Sequence, residues 1–234
     1  MINYHKIITD LEKILDGEIH TDIITLNKFS TDASLFRMQP QVVIAPKNKF
    51  DLQKLVREIT KIKVDKKLSK VHEELSITAR AAGTCMSGGP LGKSIVLDMT
   101  KYFNEVVKVT KDYVICQPGV FHRKLEKKFN HLGVFLPSYP ASKDLCTIGG
   151  IVANNSAGEK TLLYGQTIKY IEEVEMVLWD GSIFNFHKMH FNDIKKIENI
   201  LAKKIHLDIL ELYYNNQEVI NREKPEVSKN SAGY

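Results

Sequence analysis

The 234-residue chain lacks the features that would place it in several broad classes. It has no apolar run near the roughly 20 residues that a membrane-spanning helix needs. Behind the opening Met1-Ile2-Asn3-Tyr4-His5-Lys6, the charges of Asp10, Glu12 and Lys13 interrupt any signal-peptide core. Cytoplasmic residence is the default expectation, with peripheral attachment to a membrane as its alternative. Cysteine is scarce: Cys85, Cys116 and Cys146 are an odd set with no metal-like spacing. They are expected to be reduced, small and semi-buried, and no metal site is expected. Lysines gather at 61–67, 124–128, 195–196 and 203–204, yet the net charge is only +5 and no aromatic interleaving or nucleic-acid motif accompanies them. They read as solvated helix faces, and no nucleic-acid partner is expected. There is also no internal repeat and no low-complexity linker.

What the chain does have is 43% hydrophobic residues, enough for one large domain or two small ones, and a clustering of glycine. Residues 76–92 hold Gly83, Gly88, Gly89 and Gly92, and residues 146–158 hold Gly149, Gly150 and Gly158; together these are seven of the 13 glycines. Glycine lets backbone N–H groups face a ligand with no Cβ in the way. Clustered N–H groups form an anion nest, for which phosphate is the usual guest. The two loops read as jaws on one diphosphate-containing cofactor.

The coarse structure is legible from periodicity. Ile7, Ile8, Leu11, Ile14 and Leu15 predict an amphipathic helix over residues 1–16, ended by Gly17. Residues 29–40 are polar and turn-prone. Residues 41–45 form a buried strand, and a helix follows through about Lys63 with Leu52, Leu55, Val56, Ile59 and Ile62 on its apolar stripe. Strands over 77–81 and 95–99 flank the first glycine loop. Past Thr100 the pattern changes: residues 105–109 and 113–117 alternate as a hairpin, and 120–132 is helical with Phe121, Leu125, Phe129 and Leu132 on one stripe. A second hairpin joins 172–179 to 182–186 through Asp180-Gly181. Residues 189–215 read as helical with Ile194, Ile197, Ile200 and Leu201 inside, and 216–234 as a polar tail.

Two common glycine motifs do not fit. The spacing over 81–92 is not G-x-G-x-x-G, and a strand rather than a helix follows it. Gly92-Lys93-Ser94 ends like a P-loop, but the first glycine of that motif would fall at Ser87, and Pro90 removes an N–H from the cradle. Arg80-Ala81-Ala82-Gly83-Thr84-x-x-Ser87-Gly88-Gly89 instead resembles the first pyrophosphate loop of the PCMH-type, or vanillyl-alcohol-oxidase-like, FAD domain. The second loop of that domain is similar to Pro137-x-x-Pro140-Ala141-Ser142 followed by Cys146-Thr147-Ile148-Gly149-Gly150-x-Val152-Ala153-Asn154-Asn155-Ser156-Ala157-Gly158. Leu163-Tyr164-Gly165 and Val174-Glu175-Met176-Val177-Leu178-x-Asp180-Gly181 follow in family order. Ser30-Thr31-Asp32-Ala33-Ser34 and the terminal Lys229-Asn230-Ser231-Ala232-Gly233-Tyr234 resemble the glycolate, D-lactate and D-2-hydroxyglutarate dehydrogenase branch.

The resemblance implies an α+β fold: a two-subdomain FAD domain, incomplete at its C-terminus, with the cofactor extended between the parts. The expected division is 1–36 as a helical lead, 37–100 as the first subdomain and 101–234 as the second. Expected cofactor contacts are Ala81, Ala82, Gly83, Thr84, Cys85, Met86, Ser87, Gly88 and Gly89 in one loop. Pro140, Ser142, Thr147, Gly149, Gly150, Asn154, Ser156 and Gly158 are those of the other. Thr84 stands where some relatives carry a histidine bonded to the flavin, so the FAD is expected to be non-covalent. Arg37 is a candidate for a substrate carboxylate, against a plain structural role. None of the eight histidines is assigned as a base.

In the resembling family the base, any metal ligands and much of the substrate pocket belong to a downstream cap domain, and this chain ends inside the 229–234 motif. A fragment or split gene is therefore expected, completed by a cap domain or an iron–sulfur subunit. Three functions stay open: the FAD-binding part of a 2-hydroxy-acid dehydrogenase, the FAD domain of another PCMH-type oxidoreductase, or a flavin-binding fragment without turnover.

Overall fold

The computed structural model describes residues 2–64 and 74–227. The terminal motif at 229–234 and part of the 61–67 lysine cluster lie outside them. The first half is built on a four-stranded sheet in the order β1-β2-β4-β3. Helix α1 (Tyr4–Glu12) starts where the Asn3 side chain accepts from Lys6 N. β1 (Glu18–His20) follows, and then α2 (Ile23–Phe29), whose Asp22 cap accepts from Thr25 N. β2 (Val42–Ala45) leads into α3 (Lys49–Val64), β3 (Ile77–Arg80) and β4 (Ile95–Asp98). β2, β4 and β3 are parallel, and β1 runs antiparallel on the β2 edge.

Alternation along the strands explains the layering, because successive side chains leave opposite faces of a sheet. Val42, Ile44, Ile95 and Leu97 point to one face, where Ile7, Leu11, Leu55 and Ile59 cover them. Val43 and Val96 point to the other and meet Phe29, with Leu26 beside them. Burial of each aliphatic side chain contributes about 1.5–3 kcal/mol. The segment 1–36, expected as a helical lead, thus supplies a core helix, an edge strand and the cover of the second face. The glycine at 17 has a packing reason: a Cβ there would collide with the Ala45 carbonyl oxygen across the β1–β2 pair. Helix α1 itself ends five residues earlier.

The second half is built on two separate two-stranded hairpins. β5 (Val106–Val109) and β6 (Val114–Cys116) form the first expected hairpin, and α4 (His122–Phe129) packs Leu125 and Phe129 against it with Val120. α5 (Ile148–Ala153) and α6 (Thr161–Tyr164) carry the second glycine loop. β7 (Glu173–Val177) and β8 (Ile183–His187) form the second hairpin, turning through Gly181 at φ +76°. This turn docks on α3: Gln53 Nε2 donates to Gly181 O at 2.7 Å and Thr60 Oγ1 to Trp179 O at 2.6 Å.

The expected helix over 189–215 is two helices. α7 (Phe191–Ile194) stops, and α8 (Ile200–Asn215) restarts where the Asn199 side chain accepts from Ala202 N. The restart rotates the face, so Ile194 and Ala202 are buried while Ile200, expected inside, is 84% exposed. The expected tail begins with a further helix, α9 (Gln217–Glu223). No helix among the described residues is long and apolar enough to cross a membrane.

Candidate cofactor site

The first glycine loop leaves the C-terminal end of β3. Its root is Arg80, whose Nη1 donates to Phe29 O at 3.2 Å and Thr31 O at 2.7 Å while the guanidinium lies over the Phe29 ring. Burial lowers the Arg80 pKa, and the nearby charges of Asp32 and Asp98 oppose that. Arg80 thereby ties the strap 29–37 to the loop. Two further contacts join them: Ala33 N donates to Gly83 O at 3.0 Å, and Gly88 faces the Phe36 ring. The branch-like Ser30–Ser34 stretch and the first loop are one structural unit, which sequence separation conceals.

Within the loop, Gly83 and Gly88 take φ of +71° and +79°, conformations that glycine alone adopts without strain. A Cβ on Gly83 would also lie 2.5 Å from the Arg80 guanidinium. Gly89 differs. Its nearest neighbour to an added Cβ is Cys85 Sγ at 3.5 Å, an ordinary contact. Burial raises the Cys85 pKa, but hydrogen bonds from the Ser87 hydroxyl and the N–H groups of Ser87 and Gly89 outweigh it, and the thiol pKa is lowered. These donors converge on the Cys85 sulfur. Ala81, Ala82 and Thr84 are half-buried, and Met86 and Ser87 are exposed at the tip.

The second loop is held more tightly. Thr147 caps α5, and Gly149 and Gly150 lie inside that helix rather than before it. Its first N–H groups are already engaged: Ile148 N donates to Val120 O and Gly149 N to Pro118 O, both at 2.8 Å. Gly150 N reaches Thr147 Oγ1 at 3.4 Å. The first N–H groups of this helix thus have partners within the chain. An added Cβ on Gly149 would lie 2.6 Å from Pro118 Cβ, and one on Gly158 would collide with Tyr139 O. An added Cβ on Gly150 would meet only Thr147 Oγ1, at 3.4 Å. Buried Ser156 accepts from Thr167 N and Oγ1 through its carbonyl, and Asn155 Oδ1 accepts from Ile168 N. Asn154 and Gly150 are exposed, and Pro140 and Ser142 are half-buried.

A backbone ladder joins the two loops. Gly149 N bonds Pro118 O, the next residue Gly119 donates to Phe103 O at 2.7 Å, and Met99 N donates to Arg80 O at 2.9 Å. Gly119 packs on the carbonyl oxygens of Met99 and Phe103, where no side chain fits. The start of α5 is thus tied to the end of β4, and β4 to the root of the first loop. Arg37 stands apart, exposed and bonded through Nη2 to Asn27 Oδ1 at 3.1 Å. Cys146 is buried, and its thiol pKa is raised, chiefly by burial. Among the described residues no cluster of metal-ligating side chains exists.

Among the described residues, three buried side-chain polar atoms lack a partner, and each belongs to a residue packed on one of the loops. Asp32 Oδ2 belongs to the strap on the first. His122 Nδ1 and Nε2 lie beneath the second, where His122 N donates to Cys146 O and its ring faces Tyr139. Burial lowers the His122 pKa; Glu126 and Asp144 oppose this and Lys143 adds to it. The ring is therefore neutral in the folded chain at pH values where the unfolded chain, with a pKa of about 6.5, takes up a proton. Stability is expected to fall as pH drops below that value, by up to ~1.4 kcal/mol per unit. His122→Leu should flatten this acid limb in a comparison of melting temperatures between pH 7 and pH 5. Parallel curves for the two proteins would refute the assignment.

The α+β scaffold thus ties two glycine loops together through one backbone ladder. The profile of the FAD binding domain family matches residues 40–187, more than half of the chain, and the chain belongs to that family. A D-2-hydroxyglutarate dehydrogenase of Haemophilus influenzae is 24% identical over 94% of this chain, which spans 21% of that protein. A glycolate oxidase subunit of Bacillus subtilis is 29% identical over 66% of this chain, spanning 32% of that one. The resemblance to the hydroxy-acid dehydrogenase branch holds. Among solved structures, an alkyldihydroxyacetonephosphate synthase superposes with a TM-score of 0.66 at 18% identity, covering 82% of this chain and 37% of its own. That likeness bears on the fold, which is of the PCMH-type FAD-binding kind.

Proposed function

We propose that the chain is the FAD-binding part of a flavin-dependent dehydrogenase acting on a small 2-hydroxy acid. The observation that carries the cofactor assignment is the pairing of the loops through Pro118-Gly119, with Gly89 and Gly150 left open to a neighbour that is not this chain. The hydroxy-acid class rests on the names of the relatives. FAD, when bound, supplies the acceptor for a hydride leaving the substrate α-carbon. The loops bind and orient it in this reading: Ser87, Gly88 and Gly89 of the first loop lie on one side of a diphosphate, and Gly150 and Asn154 border it from the other. The division into subdomains at 37–100 and 101–234 is part of the same reading, as are Arg37 for a substrate carboxylate and a cap domain or iron–sulfur subunit as partner.

The flavin is held without a covalent link in this reading. Thr84 lacks the ring nitrogen through which a histidine would be linked, and burial raises the pKa of Cys146, the cysteine beside the second loop, and so disfavours its thiolate. The experiment is one sequence of steps. The FAD-loaded chain is mixed anaerobically with D-2-hydroxyglutarate, glycolate and D-lactate in turn, and then precipitated with acid. The flavin is expected to stay oxidised with the chain alone, since no proton acceptor has been assigned in it, and all colour is expected in the supernatant. Bleaching would place the base within these 234 residues. Colour in the pellet would contradict the non-covalent link. Bleaching only after the remaining length typical of the relatives is supplied would support the hydroxy-acid reading.

A further inference from the structure

Asp32 has two carboxylate oxygens with different circumstances. Oδ1 accepts from Ser34 N at 2.8 Å and Ser34 Oγ at 2.5 Å, which fixes the side chain in the strap. Oδ2 is buried and has no hydrogen-bond partner. Its surroundings belong to the first loop: the Asp32 charge acts on both the Arg80 guanidinium and the Cys85 thiol, and the adjacent Ala33 N bonds Gly83 O. Arg80 does not pair with it. That guanidinium is turned to Phe29 O and Thr31 O, and no ion pair joins the two side chains. A buried acceptor left without a donor is costly, and native structures keep such groups where something else satisfies them.

A carboxylate can only accept. It repels a diphosphate, whose oxygens also only accept. We propose that Asp32 Oδ2 receives a hydroxyl of the bound FAD, and so positions a sugar or sugar-alcohol portion of the cofactor beside the first loop. This rests on the FAD reading above. The residue then has two roles on two oxygens: Oδ1 holds the strap, and Oδ2 recognises a ligand O–H. The strap therefore belongs to the cofactor site through a side chain, in addition to its packing on Gly83 and Gly88.

The test is Asp32→Asn in the whole chain. The amide oxygen preserves the bonds to Ser34, and the NH₂ group presents a donor where the ligand also presents one. FAD affinity, read by flavin fluorescence, is expected to fall about 10- to 100-fold, the loss of one charge-assisted hydrogen bond. Riboflavin and ADP, each in competition with FAD, separate the two hydroxyl sources. One of them should weaken by the same factor and the other should not change. Melting of the free variant is expected to be no lower than that of the wild-type chain. Asp32→Ser, which also retains an oxygen near Ser34, serves if the amide variant fails to fold. Unchanged affinity for FAD and both fragments, or an equal loss for both fragments with a lower melting temperature, would overturn the proposal. Failure of the wild-type chain to bind FAD at all would overturn the cofactor reading together with it, and is distinguishable from those outcomes.

Discussion

Gly150→Val should weaken FAD binding about 100-fold and leave the free chain about as stable as before. An added Cβ at 150 meets only Thr147 Oγ1 at 3.4 Å, and the position is exposed on a helix, where valine costs less than glycine. The added Cβ clashes with nothing in the protein, so a loss of flavin at an unchanged melting temperature comes from the ligand side. A fitted contact overpacked by the three carbons of an isopropyl group loses roughly 3 kcal/mol, or about 100-fold in affinity. Gly89→Val is the matching change in the first loop, with Cys85 Sγ at 3.5 Å as its nearest neighbour. Gly149→Val and Gly88→Val are poor tests despite lying in the same motifs. The first drives a side chain into Pro118, and the second forces valine to a φ of +79°. Either would damage the loop before any cofactor arrived. Wild-type affinity in both Gly150→Val and Gly89→Val, by fluorescence titration, would mean that the loops are turns and nothing more.

The second large effect is on the fold. Gly119→Ala places a Cβ against the backbone carbonyls of Met99 and Phe103, the latter at 2.5 Å. Neither is a flexible side chain that can swing aside. The Gly119 N–H bond to Phe103 O and the Gly149 bond to Pro118 O would both stretch. A loss of about 3 kcal/mol or more is expected, which for a chain of this size lowers the melting temperature by roughly 10 °C. FAD affinity should fall with it, because the ladder that sets one loop against the other passes through this residue. A variant melting like wild type, followed by far-ultraviolet circular dichroism, would show that the ladder does not organise the site.

Much of the scaffold was legible because it follows periodicity. The Val42–Ala45 run, the α3 stripe and the Asp180-Gly181 turn each carry their own signal. β1 was not legible: Glu18-Ile19-His20 has no distinctive alternation and is a strand because β2 offers it an edge. α2 was missed although Asp22 and Thr25 form its cap. Residues 189–215 merged into one helix because Ile194, Ile197, Ile200 and Leu201 keep helical spacing across the break, and the Asn199 cap was overlooked. The glycine loops themselves were visible, but not why each glycine is there. A glycine that lets Pro118 or Tyr139 O approach and a glycine that lets a ligand approach look alike in a sequence. Only the neighbours distinguish Gly149 and Gly158 from Gly89 and Gly150. In the sequence Arg80 is one residue of a motif and Asp32 one residue of the branch-like stretch. Their roles as root and strap depend on contacts about 50 residues apart along the chain.

The central claim is that both loops hold one FAD. It is tested most directly by backbone amide shifts in the ¹⁵N-labelled chain as FAD is added to one equivalent. The account predicts that Ser87, Gly88 and Gly89 move together with Gly150 and Asn154, along one titration curve that ends at a single cofactor per chain. Shifts confined to one loop, or two curves with different midpoints, would contradict it.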